Sequence, residues 1–524
     1  MVTRDAVILV FAVTLVITML ANRIRTPMPV VLATAGAAIG VCWHLVPALP
    51  PLRFSGDIVL FVFLPPLLTR AAYALPLGAF RQNLRSIGLL AVGLVLLTMF
   101  AVAWTARAFD PALTWTAALL LGAIVAPPDP VAAASVASET GLGHRLVTIL
   151  EGEGLVNDAV AIVAYKLALD TAFTGDFSWA HTGLSLAREA PLGIFIGIGA
   201  GWVVSSLRRR LDDVTLEAAI SLLVPYVTYE IADRIGASGV LAVVALGFTL
   251  RRRSERVSTP TSRIASAMVW SAVELATTTL VFMLVGLELG IVAEAAFTLP
   301  RLVAGAAVGF AVIALRMLWM HTVPPLLRLV PLPGGGGPLP SRRELTVVGW
   351  AGMRGVVSMA LALALPVLPG AEPGTDLRPT VIVLSSVVVI MTLLVQGWTL
   401  LPLVHRLGVG DSGRDARDEA RTRLRARHAG IASLHRQVAA ETIPRAMCDS
   451  LTTRLETGDV GIVSAGTGGH ELNALTSAID AQRRVVMSMR DAGRISDALA
   501  GRLATELDVD AMRLEGDASR LSGD

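Results

Sequence analysis

From its start to about residue 405 the chain is a succession of apolar runs, each close to the roughly 20 residues a helix needs to cross a bilayer core, divided by short polar joints. Thirteen runs can be marked, at 5–22, 27–46, 57–74, 86–104, 113–138, 145–169, 190–207, 214–232, 237–250, 264–290, 300–323, 344–366 and 378–404. Inside hydrocarbon every backbone N–H and C=O must be satisfied by the chain itself, which confines such a sequence to packed helices. The expectation is an all-α polytopic membrane protein with about 13 transmembrane helices. Composition points the same way: 54% of the 524 residues are hydrophobic and only 16% are charged, where a soluble domain carries roughly a quarter charged. That argues against a soluble enzyme. The first run is expected to be a span rather than a removable signal, because similar runs follow at once and no small-residue cleavage site stands out.

The few charges are unevenly placed. Arginines collect in alternate joints: 17 lie on one side (Arg23, Arg25, Arg70, Arg81, Arg85, Arg145, Arg208, Arg209, Arg210, Arg251, Arg252, Arg253, Arg256, Arg263, Arg328, Arg342, Arg343) and 7 on the other (Arg4, Arg53, Arg107, Arg188, Arg234, Arg301, Arg378). Positive charge marks the cytoplasmic side, so the N-terminus is expected outside and the C-terminus inside an inner or plasma membrane. The division into domains follows: 1–405 in the bilayer, and 406–524 a cytoplasmic helical tail, with apolar residues at helical spacing in 470–490 and 494–506. A solvated anchor and a regulatory domain are both open readings of that tail. A net charge of +3 gives no reason to expect a nucleic-acid partner. Cys42 and Cys448 lie far apart and suggest neither a disulfide framework nor a metal cluster.

A charge kept at membrane depth costs at least ~2.5–3.5 kcal/mol, so each is a functional candidate. In the fifth run, Ala126-Pro127-Pro128-Asp129-Pro130 forbids a continuous helix, and such mid-membrane breaks occur where protein or water satisfies the freed backbone. Asp129 could serve the site or merely cap the second half of its own broken helix. In the sixth run, Glu151-Gly152-Glu153-Gly154 leads into Asn157-Asp158. Glu153 and Asn157 share a helix face, and Asp158 lies about 7.5 Å along the axis from Glu153. A carboxylate there is a place where a proton and a hard cation can compete for the same oxygens. The twelfth run holds Gly349, Gly352-Met353-Arg354-Gly355 and Ser358, and the local softness of three glycines around the arginine suggests a distorted helix. An arginine at this depth is expected to pair with an acid of the fifth or sixth run. Thr278, between Glu274 and Glu288 in the tenth run, could line a path, though a structural role suits that stretch better.

At these residues the chain resembles the monovalent cation/proton antiporters of the sodium/proton exchanger family. Pro128-Asp129-Pro130, the stretch Glu151 to Asp158, and Gly352 to Gly355 match that family's motifs in order and spacing, and the tail resembles the helical tails of bacterial members. The resemblance implies two inverted repeats with broken crossing helices, a core domain moving against a dimerisation domain, and a homodimer in the lipid bilayer. It implies no enzyme activity and no cofactor, only transported Na+ (or K+ or Li+) and H+, serving pH and cation homeostasis. By motif match Asp158 would bind cation and proton in turn, Asn157 would mark an electroneutral one-for-one exchanger, Glu153 would support the site with Arg354 as its charge partner, and Asp129 would balance helix dipoles at the crossing. Glu151, Gly154, Thr278 and Ser358 are further candidates for path or support. Three positions depart from the family pattern: Gly154 replaces serine, Pro128 replaces threonine, and Arg70 stands where an acid is common. Two hydroxyls near the ion are thereby lost, which leaves the ion preference open and makes a passive cation channel or ion sensor the alternative.

Overall fold

The computed structural model describes residues 4–21, 28–44, 56–74, 92–129, 144–174, 179–211, 213–254, 260–296, 298–326, 340–368, 376–409, 414–457, 468–492, 494–495 and 497–521. Fourteen helices are described in the apolar part: α1 (Arg4–Ala21), α2 (Met28–His44), α3 (Gly56–Ala74), α4 (Leu94–Phe109), α5 (Trp115–Val125), α6 (His144–Thr174), α7 (Trp179–Arg208), α8 (Val214–Arg234), α9 (Gly239–Ser254), α10 (Pro260–Ala296), α11 (Leu299–Leu326), α12 (Arg342–Trp350), α13 (Val356–Leu363) and α14 (Arg378–Leu407). Among the described residues, five helical stretches are long and apolar enough to cross a membrane by themselves: Arg188–Arg208, Val214–Arg234, Thr261–Ile291, Leu299–Pro324 and Arg378–Leu407. Large apolar side chains such as Phe195, Trp202, Leu223, Phe310 and Trp104 face outward. In water such a surface would be an aggregation hazard; in lipid it is the solvent-facing side.

The twelfth run is broken into α12 and α13, separated by the non-helical segment 352–355, as the broken crossing helices implied by the resemblance require. The fifth run stops being helical after Val125, at its proline cluster, and Pro130 lies outside the described residues.

Most of the packing falls within two groups, one of α1, α2, α3, α7, α8, α9 and α10 and the other of α4, α5, α6, α11, α12 and α14, while α13 packs against both, meeting α3 and α10 on one side and α5 and α14 on the other. The tightest contact within the first group is α2 against α10. Gly36 and Gly40 on α2 face Gly286 and Gly290 on α10, each so close that an added Cβ would collide with a main-chain oxygen of the facing helix. Small residues four apart allow this approach, which replaces the hydrophobic drive that lipid does not supply.

Beyond residue 409 the tail folds as α15 (Arg414–Ala439), α16 (Arg445–Thr457), α17 (Gly468–Asp491) and α18 (Asp497–Leu521). Leu434, Cys448, Leu451, Leu475, Ile479 and Leu514 form one apolar cluster, and Val486, Met489, Leu499 and Leu503 form another. Helix α18 reaches the start of α10, where Arg263 grips Asp508 through Nε at 2.8 Å and through Nη2, with the Arg483 Nε 3.6 Å from the same carboxylate. Asp508 is buried, so Asp508→Asn should remove the charge that two guanidinium groups meet there. The expected outcome is faster limited proteolysis of the tail in the full-length protein, with the 1–405 fragment released intact.

Candidate functional site

The site is built where the two broken runs meet. Helix α5 ends with carbonyls that have no following helical turn, and an end of this kind carries partial negative charge. Arg354, 1% exposed, supplies the matching cation: its Nε donates to the Val125 carbonyl at 2.8 Å and its Nη2 to the Ala126 carbonyl at 3.2 Å, while Nη1 turns back to the Gly352 carbonyl. The Arg354 N–H donates to Thr392 Oγ1 at 3.2 Å, which ties the segment to α14.

Helix α13 begins at the same crossing, and its cap residue Gly355 has no side chain to offer. Asp129 does that work from the other chain segment. Its Oδ2 accepts from the Val356 N–H at 3.3 Å, and its own N–H donates to the Met353 carbonyl at 2.6 Å. The arrangement is reciprocal: the fifth run supplies an anion to the N-terminus of a half-helix in the twelfth, and the twelfth supplies a cation to the C-terminus of a half-helix in the fifth. Asp129 therefore caps the half-helix of the twelfth run rather than its own, in keeping with the dipole-balancing place that the family resemblance implies for it.

The glycines of 352–355 are explained by space. A Cβ on Gly355 would run into the Asp129 carboxylate, and one on Gly352 into the Arg316 guanidinium. Gly355→Ala should therefore displace Asp129 from its cap, combining overpacking (about 1–3 kcal/mol) with loss of a capping bond (about 1 kcal/mol). The measurement is thermal unfolding in detergent, with exchange in vesicles expected to fall in step.

Among the described residues Arg354 makes no direct ion pair with an acid, where the sequence reading expected one. The partner of Glu153 is Arg316, from the middle of α11. Glu153 is wholly buried and receives Arg316 Nη1 at 2.5 Å and Nη2 at 3.0 Å, a bidentate fork. Arg316 also donates to the carbonyls of Gly349 (3.2 Å) and Val348 (3.3 Å) at the end of α12. Asn157 Nδ2 donates to Glu153 Oε1 at 3.2 Å, leaving Asn157 Oδ1 buried with no partner among the described residues. Arg316 was missed in the sequence although the rule that singled out Arg354, one charge in a long apolar run, applies to it equally.

Asp158 lies one residue beyond Asn157 and is 4% exposed. Among the described residues it makes no hydrogen bond and no ion pair, and the charged group that acts on it is another carboxylate, Asp129. Other buried side chains with unused bonding capacity among the described residues include Ser358, through Oγ on α13, and Gln396, through both amide atoms one turn beyond Thr392 on α14. The other candidates are placed as follows. Gly154 and Pro128 are buried, Thr278 is half-buried on α10, and the side chain of Glu151 lies outside what is described. The acids flanking Thr278 are engaged, Glu288 with Arg378 at 2.5 Å and Glu274 with Arg70 at 3.6 Å.

Among the described residues the membrane part is helical, and two of its helices are broken where buried charges meet their ends, an arrangement found in ion-coupled transporters. The family is shown by comparison: the model of the sodium/hydrogen exchanger transmembrane family matches residues 9–406, and the chain belongs to that family. An uncharacterized Na+/H+ exchanger of Mycobacterium tuberculosis is 29% identical over 544 positions, covering 97% of this chain and 95% of its own, and so includes the tail. The Na+/H+ antiporter ApNhaP of Aphanothece halophytica is 32% identical over 363 residues, covering 68% of this chain and 66% of its own. The sodium proton antiporter MjNhaP1 of Methanocaldococcus jannaschii shares the fold with a TM-score of 0.58 at 19% identity, over 77% of this chain and 97% of that one.

Proposed function

We propose that the protein is an electroneutral antiporter that exchanges one monovalent cation, Na+ first and K+ or Li+ as further substrates, for one proton, with Asp158 as the group that binds both. A single observation carries this reading. Glu153, Arg316, Arg354 and Asp129 are all committed to one another or to helix ends, whereas Asp158 is buried and without a bonded partner among the described residues. A bare carboxylate in an apolar surround is costly to keep ionised and empty. Either a cation or a proton relieves that cost, so the loaded site can cross and the empty charged site cannot. Coupling follows from this exclusion, with no need for the two ions to meet.

On this reading Asn157 Oδ1, the carbonyl groups freed by the helix breaks and water complete the ion's shell, in place of the hydroxyls lost at Gly154 and Pro128. The group that holds α5, α6 and α12 moves against the group containing α2 and α10, and the protein works as a homodimer with its tail in the cytoplasm. Exchange of this kind serves pH and cation homeostasis. The test is dequenching of a pH-sensitive dye in proteoliposomes on addition of Na+, K+ or Li+ in turn. Dequenching by Na+ with no dependence on imposed membrane potential is the expected result. A response to none of the three would overturn the reading.

A further inference from the structure

A cavity of about 130 Å3 lies among the ends of α3, α7, α8, α9 and α10 on the tail side of the protein, with Arg70, Arg208, Arg263, Ser266 and Trp270 in its wall. It belongs to neither the Asp158 site nor the helix crossing. Its hydrogen-bonding inventory is one-sided. Arg208 is 8% exposed and meets Glu217 through Nη2 at 2.6 Å, which leaves its Nε buried without a partner among the described residues. The Ser266 hydroxyl is in the same condition. Arg70 approaches Glu274 through Nε at 3.6 Å, too long for a hydrogen bond, and its side chain is one-third exposed at the cavity wall.

The nearby acids are already engaged: Glu217 by Arg208 and Ser262, Glu274 by Arg70, and Asp508 by Arg263 and Arg483. What remains is a surplus of donors. Guanidinium groups donate and never accept, and their fork matches the tetrahedral oxyanions. We propose that this cavity binds a phosphate group, either the headgroup of an acidic phospholipid or free phosphate. The arginines' charges are largely balanced by the acids, so recognition comes from the free donors and from shape more than from net field. Leu250, Ala267 and Trp270 give the cavity an apolar side, and Met268 on α10 is 70% exposed close by, which suits a phosphate attached to acyl chains. Arg263 stands in this wall and also holds Asp508 of the tail, so an occupant would touch the residue that anchors α18. The proposal is independent of what Asp158 transports.

The experiment uses full-length protein in a neutral detergent and follows thermal unfolding by tryptophan fluorescence. Phosphatidylglycerol, phosphatidylcholine, inorganic phosphate and chloride at matched ionic strength are added in turn. The expected result is a saturable rise of several degrees with phosphatidylglycerol or phosphate, absent with phosphatidylcholine and chloride. A rise with phosphatidylglycerol alone identifies the lipid headgroup, and a rise with both identifies free phosphate as sufficient. Arg70→Gln and Ser266→Leu, the second of which fills the cavity, should each remove the rise, while Ser266→Leu keeps wild-type exchange in phosphatidylcholine vesicles. No rise in the wild type, or the same rise in both variants, would overturn the proposal and leave the cavity as a water site.

Discussion

Replacing Arg316 with alanine should cost the protein more stability than the loss of any other arginine at the site. It strands Glu153, which is 0% exposed, and it releases the Val348 and Gly349 carbonyls at the end of α12. Breaking a buried pair by removing one partner costs about 3–5 kcal/mol, because the surviving charge has lost both water and counter-ion. Glu153→Ala should cost a comparable amount by stranding Arg316. The double variant Glu153→Met/Arg316→Met removes both charges and fills their volume, so it should be clearly more stable than either single variant. Thermal unfolding of the wild type, Glu153→Met, Arg316→Met and the double variant in one detergent forms the cycle. Additive losses would show that the pair is not coupled, against the geometry.

The second large effect concerns transport. Asp158→Asn keeps the volume and the hydrogen-bonding capacity of the side chain but removes its charge and its proton. Cation-driven proton movement should fall to the level of empty vesicles, with little change in thermal unfolding, because no bond between described residues depends on the Asp158 carboxylate. This separates Asp158 from its neighbours: at Arg316 and Gly355 activity and stability should fall together, and at Asp158 activity alone.

Much of this could be read from the chain. The apolar runs predicted the helices, because a bilayer leaves the backbone no other choice, and the prolines at 127, 128 and 130 and the glycines around Arg354 marked where two runs cease to be helical. The candidate carboxylates followed from their depth. The partnerships did not follow. Arg354 was expected to seek an acid, since a buried cation needs compensation; a broken helix, however, exposes carbonyls that compensate it as well, and Val125 and Ala126 do so. Glu153 was consequently left with the wrong arginine. Span order says nothing about which helices are neighbours, so Arg316 on α11 could be flagged by depth but not assigned to Glu153 before the packing was known. Gly352 and Gly355 read as local softness in sequence, whereas their structural reason is room for the Arg316 and Asp129 side chains.

The central claim is that one carboxylate takes cation and proton in turn, and proton release on cation binding tests it most directly. Purified protein in weakly buffered detergent, at a pH where the unloaded site is protonated, is mixed with Na+ while bulk pH and bound 22Na+ are recorded together. One proton released for each cation bound, and neither signal in Asp158→Asn, is the expected result. Cation binding that releases no proton, or release that persists in Asp158→Asn, would contradict it.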